Sequence, residues 1–517
     1  MTTQKIHRKT LILKVALFAT GLAGIVAEFV LSTLASYLLG DSILQWSLII
    51  SLMLFAMGMG SLLSRFIRQH LLDKFILTEY TLSIFCSISA GLSYWLAAYV
   101  QQISVLIYTL AIIIGLLIGL EIPLVTRINE AYQELRVNIS AVMQYDYLGA
   151  LVGGLLFSFV ALPHLGLTYT PILLGGLNFL IALLLFWKFR NLTHFKKTLV
   201  SLAIVVSIFL IGLILIIQPV ILFSEQKQYR DKIIYQEQSL YQKIVITQWQ
   251  HYFWLFINQN VQFSSYDEWR YHEPLVHPVM SLVKNPTKVL ILGGGDGLAA
   301  REVLKYKPVQ QIILVDLDPA MTRLGQNYSV FLALNKGALN DEKVTIVNMD
   351  AYQYLKQDST LYDVIIIDLP DPNNVELSKL YSKNFYRVVK QHLARYGAVV
   401  TQATDVSHAT RTFCCILKTM ESAGLSTVPY HNYVQTMGNW GWILGMKCES
   451  ISQEAIKEQL LQQHFDNVTT RFLNQSAMIS MMHFGKGSLE IKTAVEVNTE
   501  LRPVLYRYYL EAYELLK

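Results

Sequence analysis

Charge is what this sequence has least of. Only 15% of its 517 residues are Asp, Glu, Lys or Arg, against about 25% in an ordinary globular chain. The formal net charge of +5 is too small for the basic footprint of a nucleic-acid binder, which excludes nucleic acid as a partner. Cysteine is scarce too. Cys86 lies in an apolar run, Cys414 and Cys415 are adjacent, and Cys448 stands apart. No CxxC pair occurs, so neither a zinc site nor a disulfide framework is indicated. A P-loop is also missing, because the glycine turn "GGGDG" is not followed by GK[ST].

Apolar sequence is abundant instead. The chain is 53% hydrophobic with a mean hydropathy of +0.38, and its length suggests more than one domain. Up to about residue 223 it reads as runs near 15–39, 43–64, 76–99, 103–125, 141–163, 168–187 and 198–223. A bilayer crossing takes roughly 20 residues. The first run is not a cleavable signal peptide, since it is too long and further spans follow. The fifth is interrupted by Asp146.

Orientation follows the Lys/Arg bias of the short loops. Lys5, Arg8, Lys9 and Lys14 precede the first run. Arg65, Arg68 and Lys74 follow the second, Arg127 and Arg136 the fourth, and Lys188, Arg190, Lys196 and Lys197 the sixth. The other three loops carry neither residue, which puts the N-terminus in the cytoplasm of a multi-pass membrane protein. Glu28, Glu79, Glu121 and Asp146 lie within or at the edges of these runs. Acids are costly there. They read as a cation or polyamine path, or more simply as polar contacts between helices. Gly149 and Gly153 form a GxxxG pattern that lets helices approach closely.

After the polar linker "SEQKQYRDK", the stretches "KIVITQW" and "HYFWLFINQNVQF" alternate like a β-hairpin region. Strand and helix patterns then alternate. The strands are "KVLILGGGDG", "QIILVDLD", "KVTIVNMD", "YDVIIIDLP" and "GAVVTQAT". This predicts a parallel, doubly wound sheet with its ligand at the carboxyl ends of the strands. The expected organisation is a multi-span α-helical membrane bundle of about seven helices over 1–223. A linker and small β region follow over 224–270. An α/β Rossmann-like domain of methyltransferase type covers 271–450, and a helical tail 451–517.

The residues at the strand ends carry the chemistry. Gly293 and Gly295 belong to a glycine turn, and Asp316 closes the next strand about 20 residues on, where a ribose is usually held. Asp296, inside the turn, would repel a pyrophosphate and suits a cationic S-adenosyl compound. Asp350, Asp368 and Asp371 approach the same crevice with no Lys or Arg among them. That predicts a polycationic substrate, because desolvated cations need opposite charges waiting for them. Asp350 also reads as a helix N-cap. In "DLPDPNN", Pro370 and Pro372 would fix the loop that aims Asp368 and Asp371. "HEPLVH" is one residue too long for HExxH and is interrupted by Pro274, so no metal is expected.

The stretches "YDEWRYHEPLVHP", "VLILGGGDGLAAREVLKY", "ILVDLDPAM", "YDVIIIDLPDP" and "LYSKNFYRVVKQHLARYGAVVTQAT" together resemble those of the spermidine synthases, the polyamine aminopropyltransferases. The resemblance covers roughly residues 238–448. The bundle and tail are similar to the membrane-attached bacterial branch. It implies transfer of an aminopropyl group from decarboxylated S-adenosylmethionine to an amine, putrescine by default, giving spermidine and methylthioadenosine without a further cofactor. Asp296 would hold the donor ammonium and Asp316 the ribose. Asp350 with Ala351 would contact the adenine, and Gln242 the nucleoside or thioether. Tyr271, His272 and Gln402 would line the amine channel. Asp368 would be the general base and Asp371 the amine anchor. The resemblance further implies a bacterial inner membrane as the location and a dimer or tetramer. An S-adenosylmethionine methyltransferase and a polyamine-binding transporter or sensor are the alternatives.

Departures cluster on the amine side. Leu369 and Pro370 replace the family's small hydroxyl residues, and Asn373, Asn374 and Val375 replace the following turn. Gln435 stands where the family tends to carry a tyrosine facing the amine. The residues therefore secure the donor more firmly than the acceptor. Seven crossings would carry the C-terminal half outside, whereas the implied donor is made inside, so the sequence leaves the side of that half open.

Overall fold

The computed structural model describes residues 3–39, 42–100, 102–130, 135–447, 449, 451–491 and 494–514. Cys448 and the side chains of Lys5, Arg8, Lys9 and Arg136 lie outside the described residues. The chain divides into two compact units, Met1–Arg230 and Asp231–Lys517.

The first unit is built from α1 (Thr3–Leu39), α2 (Ser42–Leu63), α3 (Leu71–Ala97), α4 (Ile103–Asn129), α5 (Leu135–Leu156), α6 (Leu162–Phe189) and α7 (Lys196–Gln228). Six helical segments are long and apolar enough to cross a membrane, and one of them, Asn138–Phe189, is 52 residues long. At about 1.5 Å per residue, that segment is far longer than one crossing needs. It breaks at Gly166, where φ is 61° and ψ −169°.

Contacts show that the chain reverses there. Phe18 and Leu22 of α1 lie against Gly149 and Gly153 of α5 in the same order, so these helices run parallel. Leu13 and Leu17 of α1 pack with Phe75 and Ile76 of α3, and Tyr37 meets Tyr94 near their other ends, so α1 and α3 are parallel as well. Tyr80 of α3 meets Phe179 of α6, while Ser83 and Ser87 meet Gly175, so α6 runs the opposite way. Hence α5 and α6 are antiparallel. Asp73 accepts N–H groups from His194 and Phe195, and Gly91 meets Ile217, so α7 is parallel to α3. The described helices pass through the bundle seven times, and α7 leaves it at the end opposite the start of α1. Asp146 does not remove the fifth pass.

The glycine pair of α5 works as a close-approach motif. A Cβ on Gly149 would stand 1.9 Å from the Phe18 carbonyl oxygen, and one on Gly153 2.7 Å from that of Leu22. Only hydrogen at these positions permits such a crossing. Glu28, Glu79 and Glu121 are buried, and Glu79 and Glu121 meet within the bundle. Along α7, Ile204, Ile208, Ile211 and Leu215 are exposed. That stripe is apolar at helical spacing and suits contact with lipid rather than water.

The second unit opens with a four-stranded antiparallel sheet: β1 (Lys232–Gln238), β2 (Lys243–Trp249), β3 (Tyr252–Ile257) and β4 (Asn260–Ser264). The residues expected to be a linker are thus mostly ordered elements, with α7 running to Gln228 and β1 starting at Lys232. Helix α8 (Trp269–Ser281) leads to β5 (Lys288–Gly293), β6 (Gln311–Asp316), β7 (Val344–Asn348), β8 (Tyr362–Asp368), β9 (Leu393–Asp405), β10 (Leu425–Val434) and β11 (Gly438–Lys447). Their order is β10-β11-β9-β8-β5-β6-β7.

The five strands read from sequence are parallel to one another. The sheet as a whole is mixed, however, because the β10–β11 hairpin adds to β9 antiparallel. Alternate residues of the central strands feed two cores. Val289, Ile291, Val364 and Ile366 face one side, and Leu290, Leu292, Ile365 and Ile367 the other. Strands apolar on both faces are what a sheet covered by helices on both sides requires. The tail is part of these cores. Ile456, Leu460 and Met478 pack on one face, and Leu505 and Tyr508 on the other.

Candidate active site

Strands β5, β6 and β8 end at Gly293, Asp316 and Asp368, and Asp350 follows β7. Parallel pairing sets these ends side by side, with Gly293 opposite Asp368. They open on a cavity of about 330 Å³. Gln242, Tyr271, His272, Gly293, Gly295, Asp296, Asp316, Asp350, Ala351, Asp368, Asp371 and Gln402 all line it. Every candidate named from the sequence therefore reaches one crevice.

The glycine turn is dictated by space. Gly293 has φ 87°, and a Cβ there would lie 2.0 Å from the Asp368 carbonyl oxygen. A Cβ on Gly295 would lie 2.6 Å from Asp316 Oδ2. Instead, the Gly295 N–H donates to Asp316 Oδ2 at 3.0 Å, and the Asp318 N–H donates to Oδ1 at 2.9 Å. The acid that ends β6 is thus held by backbone. Burial still pushes it up to about 6, because the two N–H groups compensate only in part.

Asp296 accepts the Leu298 N–H at 2.8 Å. Burial pushes it up to about 6, with His272 pulling the other way. Asp350 accepts the Gln353 N–H at 2.8 Å and so caps the helix Ala351–Gln357. The helix-cap reading and the cavity placement hold together for this residue.

Asp368 and Asp371 have different surroundings. Tyr271 Oη donates to Asp368 Oδ1 at 2.7 Å. Burial raises Asp368, with His272 and Tyr271 opposing. Asp371 Oδ1 accepts from Gln402 Nε2 at 3.2 Å, and Oδ2 accepts from Tyr509 Oη at 3.0 Å and Thr404 Oγ1 at 3.4 Å. Burial pushes Asp371 up to about 6 despite these donors. Thr404 holds φ 64°, a conformation unusual for a β-branched residue and of the kind found at functional sites.

Gln402 is more committed than expected. Its Nε2 donates to the Leu369 carbonyl at 2.7 Å and to Tyr381 Oη at 2.6 Å, and its Oε1 accepts the Thr404 N–H. Tyr381 Oη in turn donates to the Leu369 and Pro370 carbonyls. These two side chains clamp the loop between the acids. Beyond it, Asn374 caps the helix Val375–Lys379 by accepting the Leu377 N–H at 2.8 Å. The asparagine that departs from the family pattern therefore starts a short helix.

The expectation that no basic group stands near the acids needs correction. His272 Nδ1 lies 3.1 Å from Glu268 Oε2, and Arg301 donates to both Glu268 oxygens at 2.9 Å. Burial works against a charged imidazole, but Glu268, Asp296 and Asp368 outweigh it and raise His272. Although burial opposes it, His272 and Arg301 bring Glu268 down to about 2. The network is buried and locally balanced, and among the described residues no Lys or Arg forms an ion pair with Asp368 or Asp371. His277 instead meets Glu302 and Tyr306, so the two histidines of "HEPLVH" serve different partners.

Sequence reasoning missed Glu268, Arg301, Tyr381 and Tyr509. Glu268 and Arg301 lie inside quoted stretches but are joined only in three dimensions. Tyr509 is 138 positions from Asp371, and no local pattern points to it.

Residues 268–459 match the Spermine/spermidine synthase domain. The chain is 42% identical to polyamine aminopropyltransferase 2 of Aquifex aeolicus, over 96% of this chain and 98% of that one. It is 38% identical to the polyamine aminopropyltransferase of Oceanobacillus iheyensis, over 99% and 100% respectively. Among solved structures, a spermidine synthase in complex with the transition state analogue AdoDATO is 26% identical. It overlaps 50% of this chain and 88% of its own, with a TM-score of 0.45.

Proposed function

Because this chain belongs to the polyamine aminopropyltransferase family, we propose that it moves the aminopropyl group of decarboxylated S-adenosylmethionine to putrescine, releasing spermidine and methylthioadenosine. The observation that carries this reading is the convergence of Asp296, Asp316, Asp368 and Asp371 on one cavity. Four acids suit a ligand pair that brings a sulfonium and several ammonium groups, and no phosphate.

Asp316, held by two backbone N–H groups, takes the ribose hydroxyls. Asp350 and Ala351 flank the adenine, and Gln242 reaches the nucleoside. Asp296 balances the donor ammonium, where a methionine carboxylate would be repelled. On the other side, Asp371 anchors one end of the diamine, and Tyr271 and His272 line its path. Asp368 accepts a proton from the attacking ammonium. The freed nitrogen lone pair then attacks the propyl carbon next to sulfur. The C–S bond breaks, its electron pair neutralises the sulfonium, and methylthioadenosine leaves. Burial makes Asp368 a stronger base than a free carboxylate, which suits proton transfer near neutral pH. Alignment of the two partners supplies the rest of the rate. We further propose that the bundle holds the enzyme in a bacterial inner membrane.

The test follows methylthioadenosine release by the full chain with putrescine and either donor. Turnover with decarboxylated S-adenosylmethionine is expected. Asp368→Asn should lower kcat about 10²- to 10⁴-fold while methylthioadenosine binding persists. Methyl transfer from S-adenosylmethionine, with no use of the decarboxylated donor, would sink the reading in favour of a methyltransferase.

A further inference from the structure

The amine side of the cavity receives a contact from beyond the matched domain, which ends at residue 459. Tyr509 lies in the tail helix Leu505–Glu514 and donates its hydroxyl to Asp371 Oδ2 at 3.0 Å. Its position is fixed by more than that bond. Leu505 and Tyr508, on the same helix, are buried in the core under the sheet. Arg411 lies 3.6 Å over the Tyr508 ring and donates to Glu511 at 2.8 Å. The Tyr513 ring packs against that of Tyr509, with centroids 4.6 Å apart.

We propose that Tyr509, delivered by the C-terminal helix, is the positioning residue that orients the Asp371 carboxylate toward the acceptor amine, so that the tail helps to set how tightly the acceptor is held. This rests on the reading of Asp371 as the amine anchor. A carboxylate offers about four lone-pair directions. Gln402, Thr404 and Tyr509 occupy three, and Asp371 lines the cavity with the remainder. All three donors are neutral, so none competes with an ammonium for charge. The cavity wall following Gln435 is formed by Met437 and Trp440. Tyr509 reaches the site through Asp371, which it holds from the tail side.

The groups facing Asp371 fix the sign of a pH effect. Asp405 on β9 pushes it up, and the hydroxyls of Thr404 and Tyr509 and the amide of Gln402 pull it down. Tyr381 and Tyr271 are the other ionisable side chains that feel it, together with Tyr513. Removing the Tyr509 hydroxyl takes away a bond to the charged form. The carboxyl then keeps its proton to higher pH, and ammonium binding weakens near neutrality.

The experiment compares wild type with Tyr509→Phe in the full chain in nanodiscs. KM for putrescine should rise roughly tenfold, the loss expected for one hydrogen bond to a charged group. KM for the donor and kcat at saturating amine should hold, and the acid limb of kcat/KM for putrescine should move to higher pH. Calorimetric binding of putrescine should weaken to the same extent, with methylthioadenosine binding unchanged as the check on folding. Unchanged putrescine affinity and an unmoved acid limb would overturn the proposal. So would equal weakening of both substrates, which would mean general damage. The calorimetric arm needs no turnover. A wild type that binds putrescine without transferring an aminopropyl group therefore refutes the transferase reading alone, and the Tyr509 comparison still decides the role of the tail.

Discussion

Asp368 and Asp371 are three positions apart, yet their neighbours give them different surroundings. Among the described residues, Tyr271 is the one side chain that donates to Asp368, whereas Asp371 is held by Gln402, Thr404 and Tyr509. A singly held carboxylate can accept a proton, and a triply held one suits an anchor. The pair was legible in the sequence because a buried strand ends in two acids separated by proline. The donors to Asp371 were not legible as a set, since Tyr509 is local to nothing near them. The raised carboxyls fix a pH dependence. Asp371 stands at about 6, so it is charged above that pH and neutral below it. A neutral acid cannot balance an ammonium. The kcat/KM for putrescine should therefore fall about tenfold per unit as pH drops below about 6, measured from pH 5 to 8 at saturating donor. A flat profile across that range would contradict an ionised Asp371 in binding.

Among the elements, the meeting of β5 and β8 limits what the site can tolerate. Gly293 combines φ 87° with a 2.0 Å approach to the Asp368 carbonyl. Gly293→Ala should thus cost about 2 kcal/mol or more in stability, from the strained backbone and the clash together. It should also displace Asp368, so activity should fall further than the melting temperature suggests. Gly212→Ala, which meets nothing within 4 Å, is the tolerated control, and thermal unfolding with methylthioadenosine affinity checks both. The parallel strands were readable because they are continuous apolar runs ending in acids. The β10–β11 hairpin was not, because its burial depends on pairing with β9 at the sheet edge. Strand β1 went unread for a similar reason. Its residues, KIIYQEQ, mix apolar and polar without alternation and are mostly half-buried, and the pairing with β2 makes them a strand.

For the whole molecule, the count of passes matters most. Lys and Arg gather in the loops at the N-terminal end of the bundle, the bias expected of a cytoplasmic side. Seven passes then bring α7 out at the opposite end. Reporter fusions should accordingly score the N-terminus as cytoplasmic and the C-terminus as external, and a cytoplasmic C-terminus would refute the seven-pass arrangement. By itself, the sequence determined the apolar spans, the strand–helix alternation and the acids at the strand ends. Each of these follows from local periodicity and from the cost of burying charge. Only the tertiary structure decided the reversal at Gly166, the Glu268–Arg301–His272 network and the bond from Tyr509 to Asp371. Those depend on residues far apart in the chain meeting once the cores have packed, and no local pattern encodes such a meeting.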